Sequence, residues 1–249
     1  MSRIVTVIPA RMAASRLPGK PLADIHGRPM IVHVWERAVA AGLGPVVVAC
    51  SESEVFDAVV AAGGTAVMTD PDLPSGSDRI HAALQAFDPD GAYDVVVNVQ
   101  GDLPTLDPAL VRRAVEALGD ADIATLVVRI AEEGERTNPN VVKAVVEFDD
   151  AAETAGRALY FTRLTAPWGE GDHLHHIGLY VYRRGALERF VALPPAALER
   201  REKLEQLRAL ELGLSIWAAV TDAAPISVDT PADLEQARNF ARMNFGEAS

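Results

Sequence analysis

Cysteine and long apolar runs are nearly absent from this sequence. Cys50 is the only cysteine among 249 residues, so the chain can form neither an internal disulfide nor a cysteine-rich zinc site. No apolar run reaches the roughly 18 residues of a membrane-spanning helix, and the first residues lack the basic and apolar segments of a signal peptide. The sequence therefore predicts a soluble, cytoplasmic protein without a membrane partner.

Positive charge is also scarce, because 35 acidic residues outnumber 23 basic ones and give a net charge of −12. Such a field repels nucleic acid, anionic membranes and anionic metabolites, so we expect no nucleic-acid partner. An anionic small substrate would need a local basic pocket. Apolar residues make up 49% of the chain, enough for the core of one large α/β domain or of two closely packed lobes.

Two well-known phosphate-binding patterns are missing. Gly19 and Lys20 are followed by Pro21 instead of Ser or Thr, and the earlier glycine of a Walker A loop is absent. Gly42 and Gly44 precede a strand-like segment, whereas the glycines of a dinucleotide fingerprint follow a strand. A P-loop kinase and an NAD-dependent enzyme are thus disfavoured.

A basic loop after a buried strand is the feature that does point to a ligand. Residues 4–21 read IVTVIPARMAASRLPGKP, an apolar strand followed by a loop that carries Arg11, Arg16 and Lys20. On charge alone this is an ordinary solvated loop. In open α/β sheets, however, ligands bind beyond the carboxyl ends of the strands, where such a loop can turn cations and backbone N–H groups toward an anion. Its position therefore favours a phosphate site.

The apolar pattern of the first half predicts alternating strands and helices. Further strands are expected at 45–49, 65–68 and 95–99. Helices are expected at 29–42, 54–62 and 107–118, and another is expected to follow residues 75–77 and to end at 87. This order implies right-handed crossovers and a largely parallel sheet.

From about residue 122 the pattern changes to strands at 123–130, 141–148, 159–162 and 177–182, followed by a charged helix at 198–212. Strands with little helix between them favour an antiparallel extension. No Gly-, Ser- or Pro-rich linker separates the halves, so we expect a single domain over residues 1–249 with a change of character at 121–122.

A turn-rich segment at 69–79 offers further ligand contacts. It follows a predicted strand and contains Ser75, Gly76 and Arg79. The alternative is a plain connection whose following helix is capped by Ser77.

Two aspartates are candidates for holding a cation. Asp102 follows the apolar strand at 95–99, where it is either part of a tight turn or a Mg²⁺ ligand facing the basic loop. Thr230, Pro231 and Asp233 make a helix start, which leaves Asp229 available as a second ligand. The residues alone do not pair Asp229 with Asp102.

Eight motifs together resemble one enzyme family from end to end. They are IPARMAASRLPGKPL, MTDPDLPSGSDRI, NVQGDLPTLDP, NPNVVKAV, ALYFTR, HIGLYVYR, LEQLRALELG and VDTPADLEQAR. Each is weak alone, but in this order they resemble the CMP-Kdo synthetases, the cytidylyltransferases that activate 3-deoxy-manno-octulosonate (Kdo).

The resemblance implies a Rossmann-like nucleotidyltransferase fold, with a mixed, mostly parallel sheet flanked by helices and an antiparallel extension. It implies a homodimer that uses CTP and Mg²⁺, in which the anomeric hydroxyl of Kdo attacks the α-phosphate of CTP. The products would be pyrophosphate and CMP-Kdo for lipopolysaccharide assembly. Residues 1–121 would mainly bind CTP, and residues 122–249 would bind the sugar and form the dimer.

The resemblance also assigns residues. The expected nucleotide contacts are Ala10, Arg11, Arg16, Lys20, Ser75, Gly76, Arg79 and Gln100. Arg16, Lys20 and Asp102 would be catalytic, and Asp102 and Asp229 would bind the metal. The expected sugar contacts are Gln100, Arg163, His176, Tyr180, Glu205 and Gln206.

Some positions depart from the family pattern and leave pocket details open. They are Leu103, residues 50–52 and Ser227. The alternatives are the same chemistry on another acidic sugar, such as 8-amino-Kdo or a sialic-type acid, a metal-dependent glycosyltransferase, and a non-catalytic nucleotide-binding module.

Overall fold

The computed structural model describes residues 2–13, 16–148 and 152–244. Positions 14 and 15 of the predicted phosphate loop lie outside the described residues. The chain forms two compact units, one of Met1–Arg112 with Pro225–Ser249 and one of Arg113–Ala224. The predicted single domain, with its change of character at 121–122, stays a prediction.

The first unit is built on a parallel sheet. Its elements, in chain order, are β1 (Ile4–Ala10), β2 (Asp24–Ile25), β3 (Arg28–Pro29), α1 (Met30–Ala40), β4 (Val46–Cys50), α2 (Ser53–Ala61), β5 (Thr65–Met68), α3 (Gly76–Phe87), β6 (Val95–Asn98) and the start of α4 (Pro108–Ala117). The strand order is β5-β4-β1-β6, and each of these pairs is parallel. β4 and β6 are buried along their whole length, which explains their unbroken apolar sequence.

The helices of this unit follow the predicted pattern with small changes at their ends. α1 buries one face that includes Met30, Ile31 and Val34. The predicted cap of α3 is corrected: Ser75 is the N-cap, and its Oγ accepts a hydrogen bond of 3.2 Å from the backbone N–H of Asp78. Ser77 lies inside the helix and is only 2% exposed, so its hydroxyl is not at the helix end.

The end of the chain returns to the first unit. A cluster of buried side chains from the β2–β3 hairpin, the start of α1 and the last helix holds it there: Ile25, Met30, Val228, Leu234, Ala237 and Ala241. Residues just before the last helix are therefore fixed close to the parallel sheet.

The second unit is mostly antiparallel. Beyond α4 it contains β7 (Ile123–Arg129), α5 (Glu133–Thr137), β8 (Lys143–Phe148), β9 (Ala155–Thr162), β10 (Leu174–Arg183), α6 (Arg184–Val191), α7 (Ala197–Glu202), α8 (Gln206–Glu211) and β11 (Ile216–Thr221), and α9 (Pro231–Asn244) then closes the first unit. The strand order is β10-β7-β11-β9-β8. The pair β11–β7 is parallel, and β10–β7, β10–β8, β11–β9 and β8–β9 are antiparallel. The antiparallel extension is thereby confirmed, although α6 and β11 were not predicted.

The predicted single helix at 198–212 is wrong, because α7 and α8 are separate. Lys203 has a φ of 56°, in the left-handed region, and this residue ends α7. The second helix begins at Gln206, which is buried and 7% exposed, so it does not lie on a solvated helix surface. None of the helices in the described part of the chain has both the length and the apolar character needed to cross a membrane.

Candidate active site

A cavity of about 360 Å³ lies in the first unit, at the carboxyl ends of β1 and β6. It is large enough for a small-molecule ligand. Every predicted nucleotide-binding, catalytic and metal-binding residue lines it: Ala10, Arg11, Arg16, Lys20, Ser75, Gly76, Arg79, Gln100, Asp102 and Asp229. The structure thus brings together residues that are up to 219 positions apart in the chain, from Ala10 to Asp229.

The cavity is positively charged although the chain is acidic. Four cations, Arg11, Arg16, Lys20 and Arg79, line it with two carboxylates. This leaves an excess of two positive charges in a chain of net charge −12. A pocket of this kind favours an anion that the rest of the surface repels.

Lys20 joins the two aspartates. Its Nζ donates to Asp102 Oδ2 at 2.8 Å and to Asp229 Oδ1 at 3.1 Å. Burial lowers the pKa of Lys20, but the charges and hydrogen bonds of the two carboxylates outweigh it and raise the pKa above its ordinary value. Arg16 Nη2 lies 3.1 Å from Asp229 Oδ2. Lys20 is therefore a stable cation positioned between two carboxylates.

Backbone pairing and a helix cap place Asp229 next to Asp102. The N–H of Val228 donates to the carbonyl of Asp102 at 2.9 Å. Asp233 accepts hydrogen bonds from the N–H groups of Asp229 and Thr230, which fixes the start of α9. The side chain of Asp229 is then free of the cap and reaches the cavity, as the sequence predicts.

A glycine allows the loop after β6 to approach β1. A Cβ at Gly101 would lie 2.6 Å from the carbonyl oxygen of Pro9, closer than real Cβ contacts. Only glycine permits this approach without a backbone shift. Gly101 therefore helps to bring Asp102 to the edge of the cavity formed by β1.

The other side of the cavity is formed by the start of α3. Arg79 is 2% exposed, and its Nη1 donates to Thr69 Oγ1 at 2.5 Å. Burial lowers the pKa of Arg79; the charge of Glu52 opposes this shift and that of Arg11 adds to it. Ser75 donates its hydroxyl to Asp78 at 2.6 Å. These bonds fix the directions of the polar groups before any ligand binds.

The donor set fits a magnesium ion. Asp102 and Asp229 both reach a single point, the Lys20 ammonium, so their oxygens are close enough to share one cation. Within the described ranges there is no group of three or more His, Cys, Asp or Glu side chains suited to a metal. Mg²⁺ is commonly held by one or two carboxylates, with substrate phosphates and water completing its six ligands. Two carboxylates beside a cationic pocket match that pattern.

Most of the predicted sugar-binding residues belong to the second unit. The guanidinium of Arg163 donates to three backbone carbonyls, those of Glu202 at 2.8 Å, Pro139 at 2.9 Å and Lys203 at 3.3 Å. Since a guanidinium carries five N–H groups, donors remain for a carboxylate. Arg163 also holds the turn between α7 and α8, which contains Glu205.

His176 and Tyr180 lie beside an irregular stretch of β10. The register against β7 shifts between Ile177 and Tyr180, and the two rings are 5.4 Å apart. Thr125 Oγ1 lies 2.8 Å from the carbonyl oxygen of Leu179 and 3.0 Å from His176 Nε2. Because the hydroxyl donates to a carbonyl, Nε2 of His176 carries the proton and donates to Thr125.

Burial controls the charge of both rings. It lowers the pKa of His176 to about 3, with a smaller contribution from His175. It raises the pKa of Tyr180 well above its ordinary value, and Tyr182 and Glu205 add to this shift. His176 and Tyr180 are thus neutral near pH 7 and can act as hydrogen-bonding groups.

Five cavity residues were not predicted from the sequence. They are Pro9, Ala13, Pro21, Leu73 and Gly101. All lie within segments singled out for their strand-end position, but small and apolar residues carry no chemical signal of their own. The position of the segment was the only available guide.

Comparison with known proteins gives the family. A family model described as Cytidylyltransferase matches residues 5–216. A 3-deoxy-manno-octulosonate cytidylyltransferase of Paramagnetospirillum magneticum is 65% identical over 236 residues, which cover 94% of this chain and 96% of that protein. The protein of the same name from Rhodospirillum centenum is 67% identical over 234 residues, covering 93% and 91%.

Comparison with solved structures leads to the same family and fold. That of a CMP:2-keto-3-deoxy-manno-octonic acid synthetase complexed with CTP matches with a TM-score of 0.89 and 39% identity, over 97% of this chain and 99% of that one. A nucleotidyl transferase from Methanothermobacter, 18% identical with a TM-score of 0.62 over 97% of this chain and 99% of that one, shares the fold. The predicted Rossmann-like nucleotidyltransferase fold is confirmed, and the chain belongs to the 3-deoxy-manno-octulosonate cytidylyltransferase family.

Proposed function

We propose that this protein transfers the cytidylyl group of CTP to the anomeric hydroxyl of Kdo and releases pyrophosphate. The observation that carries the proposal is the near full-length identity of 65% to a protein named for this activity. The cationic cavity supports it, because a nucleoside triphosphate is the kind of anion that a cavity lined by four cations can hold.

The residues of the cavity suit transfer at a phosphate. The hydroxyl oxygen of the sugar forms a bond to the α-phosphorus and loses its proton, while the bond from that phosphorus to the pyrophosphate oxygen breaks. Such a reaction needs positioning and charge neutralisation more than covalent help from the protein. Arg11, Arg16 and Lys20 would bind the phosphates, and Arg16 and Lys20 would also neutralise the charge on the leaving pyrophosphate.

Magnesium is part of the proposal, with Asp102 and Asp229 as its protein ligands. When bound, it would supply positive charge to the phosphates. Lys20 orients both carboxylates toward one point before any ligand enters.

The sugar contacts are proposed from the resemblance and the local chemistry of the second unit. Arg163 has donors for the sugar carboxylate, and Glu205 and Gln206 have polar groups for hydroxyls. With Nε2 of His176 donating to Thr125, its Nδ1 is left as an acceptor for a sugar hydroxyl.

A product assay tests the function. Purified protein is incubated with Mg²⁺ and CTP, UTP or ATP, with Kdo or its 8-amino analogue as acceptor, and pyrophosphate and the sugar nucleotide are measured. We expect pyrophosphate only when CTP, Kdo and Mg²⁺ are all present. Preferential turnover of 8-amino-Kdo would identify that sugar as the acceptor in place of Kdo. Hydrolysis of a nucleotide-sugar, or transfer of its sugar, would favour the glycosyltransferase alternative.

A homodimer, a cytoplasmic location and a role in lipopolysaccharide assembly complete the proposal. They are supported by the resemblance to the family. Light scattering of the purified protein tests the dimer, and fractionation of cells tests the location. Loss of lipopolysaccharide on depletion of the protein tests the pathway.

A further inference from the structure

We propose that Lys143 is a positioning residue for the acidic sugar, because its buried ammonium holds the turn to which Arg163 and His176 are both attached. This turn comprises residues 138–142 of the motif NPNVVKAV. The inference rests on the proposed function and assigns a role to a lysine that is not among the proposed substrate or metal contacts.

Lys143 is an unusual buried charge. Its side chain is fully buried, at 0% exposure, and its Nζ donates to the carbonyl of Asn138 at 2.9 Å and to that of Val141 at 2.5 Å. In the described part of the chain, no carboxylate lies within ion-pair distance of it. Burying a cation against neutral carbonyls alone is costly, so a hydrophobic residue would be cheaper at a purely structural position.

The turn held by Lys143 connects two of the predicted sugar contacts. Nη1 of Arg163 donates to the carbonyl of Pro139 at 2.9 Å. The backbone N–H of His176 donates to the carbonyl of Val142 at 2.9 Å. Four carbonyls of one short turn therefore bind either Lys143 or one of these two residues.

Charge adds a second link between Lys143 and Arg163. Burial lowers the pKa of Lys143, and the positive charge of Arg163 lowers it further. The repulsion between these two cations becomes weaker when an anion binds to Arg163, which is the less buried of the two. The carboxylate of an acidic sugar is such an anion, and Arg163 has N–H groups left to receive it.

Loss of the ammonium should therefore affect the sugar more than the nucleotide. Without Lys143, the carbonyls of Asn138 and Val141 lose their donor, and the turn is free to shift with the Arg163 guanidinium. We expect Lys143→Met, which keeps an unbranched apolar stem but removes the ammonium, to raise KM for Kdo about tenfold or more. KM for CTP should change less than twofold, because the nucleotide cavity lies in the first unit.

The test compares three variants of the full chain by steady-state kinetics with each substrate varied in turn, and by thermal unfolding. Thr221→Val is the matched control: Thr221 is a buried polar residue of the same unit, and its hydroxyl contacts the carbonyls of Val127 and Ala223. It should lower stability without raising KM for Kdo. Asn138→Ala loosens the same turn without removing the buried charge, since Asn138 Oδ1 accepts from the N–H of Asn140 at 2.9 Å.

The outcomes separate the inference from the proposed function. A raised KM for Kdo alone in Lys143→Met, and to a smaller extent in Asn138→Ala, supports the positioning role. Equal changes in both KM values, or a change matched by Thr221→Val, overturn it while the proposed function stands. If Lys143→Met does not fold, the KM values of Asn138→Ala for Kdo and CTP, compared with those of Thr221→Val, support or overturn the positioning role in the same way. If the wild-type protein makes no CMP-Kdo, the proposed function fails and the inference fails with it.

Discussion

The ammonium of Lys20 is shared by two carboxylates, and this arrangement decides what the cavity can bind. The carboxylates of Asp102 and Asp229 lie 2.8 Å and 3.1 Å from the same ammonium, so they would repel each other if no cation lay between them. A divalent cation would neutralise the same pair more completely. Lys20 and Mg²⁺ are therefore expected to compete for the carboxylates, and phosphate offers Lys20 an alternative partner.

Lys20→Met tests this competition. Removing the ammonium should tighten Mg²⁺ binding in the absence of nucleotide by roughly tenfold, or about 1.4 kcal/mol, as measured by titration calorimetry. Turnover should fall at the same time, because a cation is lost from the phosphate site. Arg28→Met is the control, since it removes a positive charge that is paired with Glu36 outside the cavity lining. Unchanged or weaker Mg²⁺ binding in Lys20→Met would contradict the idea.

Asp102→Asn tests the proposed metal ligand. The substitution keeps the shape of the side chain but removes its charge, so we expect kcat to fall by about 100-fold or more. Asp90→Asn makes the same chemical change at an exposed position of the same unit and should leave kcat unaltered. A near-normal rate for Asp102→Asn in Mg²⁺ would show that the metal is bound elsewhere.

At the scale of elements, the pair of carboxylates depends on the contact between two strand ends and the start of one helix. β1 and β6 are parallel neighbours, so the loops that follow them emerge at one edge of the sheet. Gly101 then lets the second loop pass close to Pro9. The start of α9 is held by its cap and by its pairing to Asp102, and it completes the set of carboxylates.

Gly101→Ala should disturb this contact. The new methyl group would meet the carbonyl oxygen of Pro9 at 2.6 Å, and that backbone is part of β1, so the loop must move. We expect a loss of about 1–3 kcal/mol in the free energy of unfolding, measured with urea, together with reduced turnover. Gly134→Ala is the control, because a Cβ there has no neighbour within 4 Å. Equal stability of the two variants would show that the loop can shift without cost.

At the scale of the whole molecule, charge is divided unevenly. The chain carries −12, whereas the cavity carries four cations against two carboxylates. This division keeps anions away from most of the surface and concentrates them at one place. Binding of CTP should therefore weaken as ionic strength rises.

Burial of neutral histidine makes the stability of the protein depend on pH. The pKa of His176 is about 3 in the folded protein and about 6.5 when the ring is in water. Between these values the unfolded chain binds a proton that the folded chain does not, so stability falls as pH decreases. Burial lowers the pKa of His33 and His175 in the same direction.

We expect the free energy of unfolding to drop by about 2 kcal/mol from His176 alone between pH 7.5 and pH 5. Thermal unfolding midpoints of the wild-type protein and of His176→Gln at the two pH values measure this. The variant should lose less stability on acidification than the wild-type protein. An equal loss would mean that His176 is not the group responsible.

The sequence by itself determined most elements of the first half, the antiparallel character of the second half, the basic loop and the family. Strands such as Val46–Cys50 were predicted because an unbroken apolar run reports on local conformation and burial. The proposed roles of Arg16, Lys20 and Asp102 came from strand-end position and from motifs in a fixed order. These signals are carried by residues close together in the chain.

Only the tertiary structure decided the rest. The pairing of Asp229 with Asp102 depends on a backbone hydrogen bond from Val228 and on the packing of α9 against Ile25 and Met30, which no local pattern encodes. The break at Lys203 and the bonds of the Lys143 ammonium were likewise invisible in the sequence. The physical reason is common to all three: apolar periodicity reports which side chains are buried, but not which distant groups they meet.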